Sequence, residues 1–445
     1  MAADPTPTKA ALSLLDNIAS LSTGFKNGQS GAREGLLDAC HSLIAEASHP
    51  SENMLHILWA QPTHLTTLWL AVEIQLFQAM HSVPETGASS HSIAKQCSKN
   101  CSKNVDPVIV ARMLRHLAAM GTVRETGPDT FANTPTSRAF AEQAYQDSIL
   151  FIAEDFQPVH HSMKSYFSER DWKCPDSGLD APFQHTYNCK GSHYFEYMQR
   201  RNPEMGRRFA SMMGSWSKGR PRWFEAGHYP VRERLVEGAE AGKTFLVDVG
   251  GGSGHDVEGL RGAFEGRLPG GLVLQDRPEI VELAKLGPGA KAMPHDFMTE
   301  QPVKGARAYY LHSIIQDWND EINSQILKAI VPAMTKGYSK VLVNDFVVPD
   351  QGAHWVQMHD VMGSDTTLDE VEVGGAWKIA YGALDVLKHA NPPPNPRMKP
   401  AEDMTTAPEP YAFAAFAYWL SVNPFKEGDY WDWTAGSARH RSNTP

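Results

Sequence analysis

Apolar residues recur at three- and four-residue spacing along Ala10–Ser22, Ala32–Ala47 and the longer run Met54–Met80. That spacing predicts amphipathic helices, which pack either on their own chain or on a partner subunit. The stretch from His91 to Thr134 reads as helix, turn, helix and then a small hairpin around Gly127-Pro128-Asp129. This is a winged-helix pattern and closes a first segment over residues 1–145. Residues 146–240 keep a helical period and concentrate aromatic and methionine side chains, among them Phe156, Phe209, Met213 and Trp216. Such a set either forms core or lines an apolar pocket for a flat ligand. From Lys243 short apolar runs alternate with amphipathic stretches: TFLVDVG, VEGLRGAFEG, GLVLQD, PEIVELAKLG, ARAYYLHS, SQILKAIVPAM and SKVLVNDFVV. Strands alternating with helices predict a parallel, doubly wound α/β sheet over residues 241–390. The Pro-rich stretch NPPPNPRMKPAEDMTTAPEP opens an irregular tail, 391–445.

Composition narrows the function classes. A hydrophobic content of 42% with 21% charged residues is that of a globular chain with a proper core. The formal charge of −10 argues against a nucleic-acid surface. The second helix of the wing offers Arg112, Arg115 and His116 and little else, so the wing reads as a packing element and a transcription factor is disfavoured. Cys40, Cys97, Cys101, Cys174 and Cys189 are an odd, irregular set, which predicts neither a disulfide framework nor a metal site. No run approaches the roughly 18 apolar residues of a membrane span, and MAADPTPTKA has no signal-peptide core. A cytoplasmic protein without membrane or nucleic-acid partners is expected.

The best-defined chemistry lies in FLVDVGGGSGHD, Phe245–Asp256. A buried strand runs into Gly250, Gly251, Gly252, Ser253 and Gly254, where glycines permit a tight turn and close approach of a ligand. Asp276 ends the next strand, where a carboxylate can accept from ribose hydroxyls. A dinucleotide fingerprint needs G-x-G-x-x-G, but counted from Gly250 the third glycine falls one place early. Asp248, inside the strand, would repel a phosphate and suits an ammonium. The combination points to S-adenosyl-L-methionine, which carries an adenosine and an amino acid but no phosphate. Asp296-Phe297 suits an adenine, the acid taking the exocyclic amine and the ring stacking on the base. In YYLHSIIQDWND, His312 and Gln316 stand four residues apart and are expected on one helical face.

LVDVGGGSGHD, LVLQDRPEIV, Asp296-Phe297, Gln316-Asp317-Trp318 and YSKVLVNDFVVPDQGAHW together resemble the plant and fungal small-molecule O-methyltransferases of the caffeate type, the fungal secondary-metabolism branch above all. The resemblance runs from about residue 50 to residue 362. It implies a winged-helix dimerisation domain, hence a homodimer, and a Rossmann-like S-adenosylmethionine domain, with a cleft for aromatic or polyketide-like hydroxyls. By position it assigns Gly250, Gly251, Gly252 and Gly254 to the methionine part of the cofactor, and Asp276 with Arg277 to the ribose. Asp296 and Phe297 fall to the adenine, and His312 lies beside the cofactor. Phe156, Phe209, Met213, Trp216, Asp360 and Met362 fall to the substrate. The family's general base is a histidine at the position of Gln316, beside Asp317, and a neutral amide cannot take a proton near pH 7. The family's orienting carboxylate is also missing from GSDTTLDEVEVGG, where Asp365, Asp369 or Glu370 are the shifted candidates. Three readings follow: methyl transfer, either to an acidic hydroxyl already ionised near pH 7 that needs only to be held in place or with His312 as base; a cofactor-bound dehydratase or pericyclase that transfers no methyl; or an inactive partner.

Overall fold

The computed structural model describes residues 7–345, except 30, 176, 217, 219–221, 226–228 and 319, together with two short strands, Tyr430–Trp431 and His440–Arg441. The chain divides into two compact units, Met1–Ala153 and Glu154–Pro445.

In the first unit, α1 (Lys9–Lys26) and α2 (Ala32–Ala47) pair antiparallel, the Thr8 hydroxyl ahead of α1 donating to Glu46 near the end of α2 at 2.6 Å. The expected single helix over Met54–Met80 is instead broken twice. Pro62 has no N–H to continue the ladder, and before it the chain widens into a π-turn, His56–Ala60, closed by Gln61 N–H on His56 O. Gln75 then adopts a left-handed φ of 54°, separating α3 (Gln61–Glu73) from the short helix Leu76–Met80. The winged-helix expectation is met. Helices α4 (Ser90–Cys101) and α5 (Pro107–Ala119) precede a hairpin of β2 (Val123–Gly127) and β3 (Thr130–Asn133), with β1 (Ala88–Ser89) on the outer side of β3. Asp106 caps α5 by accepting from Val108 N–H at 2.8 Å, with Pro107 in the first turn, a standard start signal. Phe77, Ile93, Val110, Leu114, Leu117 and Phe131 fill the core of the unit.

In the second unit, β4 (Leu246–Val249), β5 (Leu272–Asp276), β6 (Ala290–Pro294), β7 (Ala308–His312) and β8 (Lys340–Asn344) form one parallel sheet in the order β6-β5-β4-β7-β8. The order reverses between β4 and β7, which opens a crevice at their carboxyl ends. Alternation along the strands feeds two apolar layers. Leu246, Leu272, Leu274 and Tyr310 pack with Val257 and Leu260 of α9 (His255–Ala263). Val247, Val273, Tyr309 and Leu311 pack with Ile326 and Ile330 of α10 (Asp320–Ile330). Ahead of α9 in sequence the second unit supplies three more helices, α6 (Gln157–Ser168), α7 (Tyr194–Arg200) and α8 (Pro203–Trp216). The helix expected over PEIVELAKLG shrinks to Pro278–Val281. The chain turns instead toward Gly287, whose N–H donates to Glu258 at 2.8 Å.

Tyr309 shows how tightly the sheet is specified. It is fully buried, and its hydroxyl lies 2.7 Å from Val303 O and 2.9 Å from Ala333 O while accepting from Ala306 N–H at 3.3 Å. Tyr309→Phe leaves these backbone groups without that partner and should cost about 1–3 kcal/mol in urea unfolding.

Candidate functional site

The site grows from the carboxyl end of β4. Gly250, Gly252 and Gly254 have φ values of 75°, 60° and 89°, a path that only glycine follows without strain. A Cβ on Gly251 would come within 2.4 Å of the Asp248 carboxyl group. The loop is held by Gly250 and Gly251 N–H donating to Gln275 O at 2.8 and 3.1 Å. Beneath it Asp248 is 1% exposed, and neither carboxyl oxygen has a hydrogen-bond partner among the described residues. Burial pushes this carboxyl well above the usual range, the charges of Asp256 and Asp276 adding to it and His312 opposing.

Asp276 ends β5 with both oxygens engaged by backbone: Gly252 N–H donates to Oδ2 and Arg277 N–H to Oδ1, each at 2.8 Å. The loop and the acid therefore fix each other, and the remaining lone pairs stay available to a ligand. Burial raises the Asp276 carboxyl, with the Arg277 and Gly252 N–H groups opposing. Arg277 reaches Gln199 Oε1 at 3.2 Å and lies over the Phe195 ring at 5.7 Å. Asp296 accepts from Met298 N–H at 3.0 Å, and Phe297 meets Trp318 edge-on at 6.0 Å. Phe297 also borders the glycine loop, 3.6 Å from where a Gly250 Cβ would stand.

The expectation that His312 and Gln316 share a helical face is overturned. His312 is the last residue of β7, Ser313 turns at a left-handed φ of 55°, and Gln316 sits on a 3-10 turn, Ile315–Asp317. Strand alternation places His312 on the face of Tyr310, toward α9. There His312 Nδ1 lies 2.5 Å from Asp256 Oδ2, which also accepts from the Tyr310 hydroxyl at 3.3 Å. Asn344 Nδ2 donates to that hydroxyl at 2.7 Å. Burial alone lowers the His312 imidazole, but the hydrogen bond and charge of Asp256, with Asp345 and Asp248 behind it, outweigh burial and raise it above 6.5.

The 3-10 turn is built by groups far away in sequence. Asp345, directly after β8, accepts from Ile314 and Gln316 N–H, both at 3.2 Å. Asn323 Nδ2 donates to Ile315 O at 2.8 Å and to Trp318 O at 2.6 Å. The Trp318 ring is stacked on His193 at 4.4 Å and 15°. Burial, then the charge of Arg277, lowers His193 to about 4. Phe195 links the turn to Phe209, lying 6.3 Å from Trp318 and 5.8 Å from Phe209. Phe156 packs edge-on against His160 at 5.4 Å, and Met213 is half-buried in α8. Asp360, Met362, the Trp216 side chain and the shifted candidates Asp365, Asp369 and Glu370 lie outside the described residues.

Asp256, Asp345, Tyr310 and His193 were missed by the sequence reading. A signal existed for the first: Asp256 stands in the opening turn of the helix after the glycine loop.

A glycine cradle over an unpartnered acid at the switch point of a parallel sheet defines a Rossmann-like domain for a cationic nucleoside ligand. The residues fit S-adenosylmethionine and would repel a pyrophosphate. Comparison with known proteins agrees. Residues 229–366 match an O-methyltransferase domain and 64–143 an O-methyltransferase dimerisation domain. The chain is 36% identical to the O-methyltransferase mpaG of Penicillium brevicompactum over 344 residues, 76% of this chain and 84% of that protein. It is 34% identical to the O-methyltransferase asqD of Emericella nidulans over 64% of this chain and 70% of the relative. The fold is shared with LepI, solved with SAH and a substrate analogue, at a TM-score of 0.69 and 23% identity over 83% of this chain and 93% of that one. It is likewise shared with OxaC, solved with SAH and oxaline, at 0.65 and 23% over 85% and 93%. The chain belongs to the O-methyltransferase family of S-adenosylmethionine-dependent enzymes.

Asp345 provides a stability test. Burial raises its carboxyl to about 6, His312 and the N–H groups of Ile314, Gln316 and Ser313 opposing. A carboxyl raised on folding stabilises the fold below its unfolded value of 3.8, and that contribution is lost as pH rises through about 6. Asp345→Asn should flatten urea-unfolding stability across this window. Asp345→Ala, which leaves two N–H groups without their acceptor, should cost about 1–3 kcal/mol.

Proposed function

We propose that this enzyme methylates an acidic hydroxyl, a phenol, enol or hydroxypyridone of a secondary metabolite, working as a cytoplasmic homodimer. The dimerisation domain supports the assembly. Five free cysteines, and no helix among the described residues long and apolar enough to cross a membrane, are consistent with that setting. The relatives named O-methyltransferases support the activity.

The observation that carries the assignment of roles is the unpartnered Asp248 under the glycine loop. A buried carboxyl with no hydrogen-bond partner among the described residues has an ammonium as its natural counterpart. Gly250, Gly251, Gly252 and Gly254 give the methionine portion its bed, Asp276 takes the ribose with Arg277 beside it, and Asp296 with Phe297 takes the adenine. When bound, S-adenosylmethionine supplies an electrophilic methyl group: the new oxygen–carbon bond forms as the carbon–sulfur pair stays on sulfur. The hydroxyl proton must go to a base. Gln316 is a neutral amide, His193 is lowered to about 4, and burial lowers His255 and His295. His312 alone among these imidazoles is raised, and it takes the proton. Gln316 and Asp317 border the substrate on the turn held by Asp345, while Phe209, Met213 and Phe156 line the acceptor space.

Gln316 is also the observation that favours the second reading, a cofactor-bound enzyme that dehydrates or closes a ring without methyl transfer. Calorimetric titration with S-adenosylmethionine and S-adenosylhomocysteine, followed by mass analysis of methyl transfer to phenols and hydroxypyridones, separates the two. Asp276→Ala should weaken cofactor binding about 10-fold or more, as expected for losing hydrogen bonds to a charged group. Binding without methyl transfer to any acceptor would select the non-methylating reading, and no binding would leave the inactive partner. Within the methylating reading, Gln316→His adds a second base beside His312 and should speed weakly acidic phenols by about 10-fold, less than the roughly 10²–10⁴-fold of a sole general base. Acceptors already ionised at neutral pH should gain little.

A further inference from the structure

The geometry points to Asp256 as the positioning residue of this active site: it holds His312 with the proton on Nδ1, so that Nε2 is the atom that accepts the substrate proton. This inference rests on the proposed role of His312 and deepens it. The family's pair of histidine and orienting carboxylate is broken at Gln316, and a second pair stands a few residues away. Its members come from two elements that meet by topology. His312 closes β7, and Asp256 opens α9 directly after the glycine loop.

Several observations carry it. Nδ1 and Oδ2 are in hydrogen-bond contact at 2.5 Å, and a bond between an imidazole and a carboxylate is of the charge-assisted kind. An aspartate can only accept, so the bonded Nδ1 carries the proton, and in the neutral ring Nε2 is then the lone-pair nitrogen. Nε2 has no hydrogen-bond partner among the described residues, and the His312 side chain is 32% exposed. Asp256 is itself oriented: its Oδ2 also receives the Tyr310 hydroxyl, which Asn344 fixes in turn. A base held by a third group that sets its tautomer is the general logic of catalytic triads.

Among the described residues, His312 is faced by Asp256 on α9, Asp248 on β4, Asp345 after β8, and Tyr310 on its own strand. Three acids raise its basicity and burial opposes them. In the proposed step the substrate O–H bond breaks, its proton passes to Nε2, the oxygen bonds to the methyl carbon, and the pair of the broken carbon–sulfur bond remains on sulfur. No oxidant or reductant is involved.

The test uses full-length protein with isotope-labelled histidine, with and without S-adenosylhomocysteine, the His312 signal being assigned by His312→Gln. Imidazole nitrogen shifts should report the proton on Nδ1 and a titration midpoint above 6.5. In Asp256→Asn the midpoint should drop by about one unit or more, as expected on removing an opposite charge at contact, and the Nδ1 preference should fade. With an acceptor that wild type methylates, kcat should fall about 10–100-fold, a part of the roughly 10²–10⁴-fold that a general base contributes. Its acidic limb should move to lower pH, and cofactor affinity should change little. Asp256→Glu should recover part of the loss. An unchanged tautomer and midpoint in Asp256→Asn would overturn the inference, as would an unchanged kcat. So would a loss confined to cofactor affinity. If wild type binds cofactor, shows the coupled imidazole and yet methylates nothing, the base role of His312 fails while the hold of Asp256 on it stands.

Discussion

Too many carboxyl groups are gathered at the carboxyl end of the sheet, and that imbalance organises the second unit. Asp248, Asp256 and Asp345 converge on a single imidazole, and Asp248 has no hydrogen-bond partner among the described residues. A buried carboxylate without partners is costly and relieves itself by taking up a proton or meeting a cation. His312 supplies part of the compensation when protonated. On the proposed reading, a cofactor bearing an ammonium and a sulfonium would supply the rest, and Asp248 would ionise against it. A nucleotide phosphate would add to the imbalance. The glycine loop belongs to the same arrangement: a Cβ at Gly251 would strike the Asp248 carboxyl, so the acid and the close-packed loop above it require each other.

The sheet was legible in sequence because its cause is local. Alternating apolar runs, the glycines after TFLVDVG and Asp276 at the end of the next strand follow from short-range pattern, and the structure has them in the expected order. The wing was legible for the same reason. Two expectations failed where local pattern competes with backbone geometry. The Met54–Met80 stripe is continuous in hydrophobicity, yet Pro62 withholds a ladder hydrogen bond and Gln75 turns left-handed. His312 and Gln316 have helical spacing, yet the strand continues through His312 and Ser313 turns it sharply. Asp256 and Asp345 escaped notice because their partners are 56 and 29 residues away. Only the parallel pairing of β4, β7 and β8 brings them together.

The turn bearing Gln316 remains fully built although its side chain cannot take a proton. Asp345 still accepts its N–H groups, Asn323 still holds the carbonyls of Ile315 and Trp318, and Trp318 is still stacked on His193. A buried acid raised to about 6 is an expensive way to hold a turn. That expense is understandable if residue 316 must stay in place against a substrate: an amide can donate to an acceptor oxygen that is already negative. Positioning of this kind supplies much of the rate for an ionised nucleophile, because approach and alignment are the remaining obstacles. Loss of the base at 316 and an acidic acceptor are thus two aspects of one arrangement. On the proposed reading, the turn orients the oxyanion, and the imidazole on β7 handles the proton for the fraction of substrate that arrives neutral.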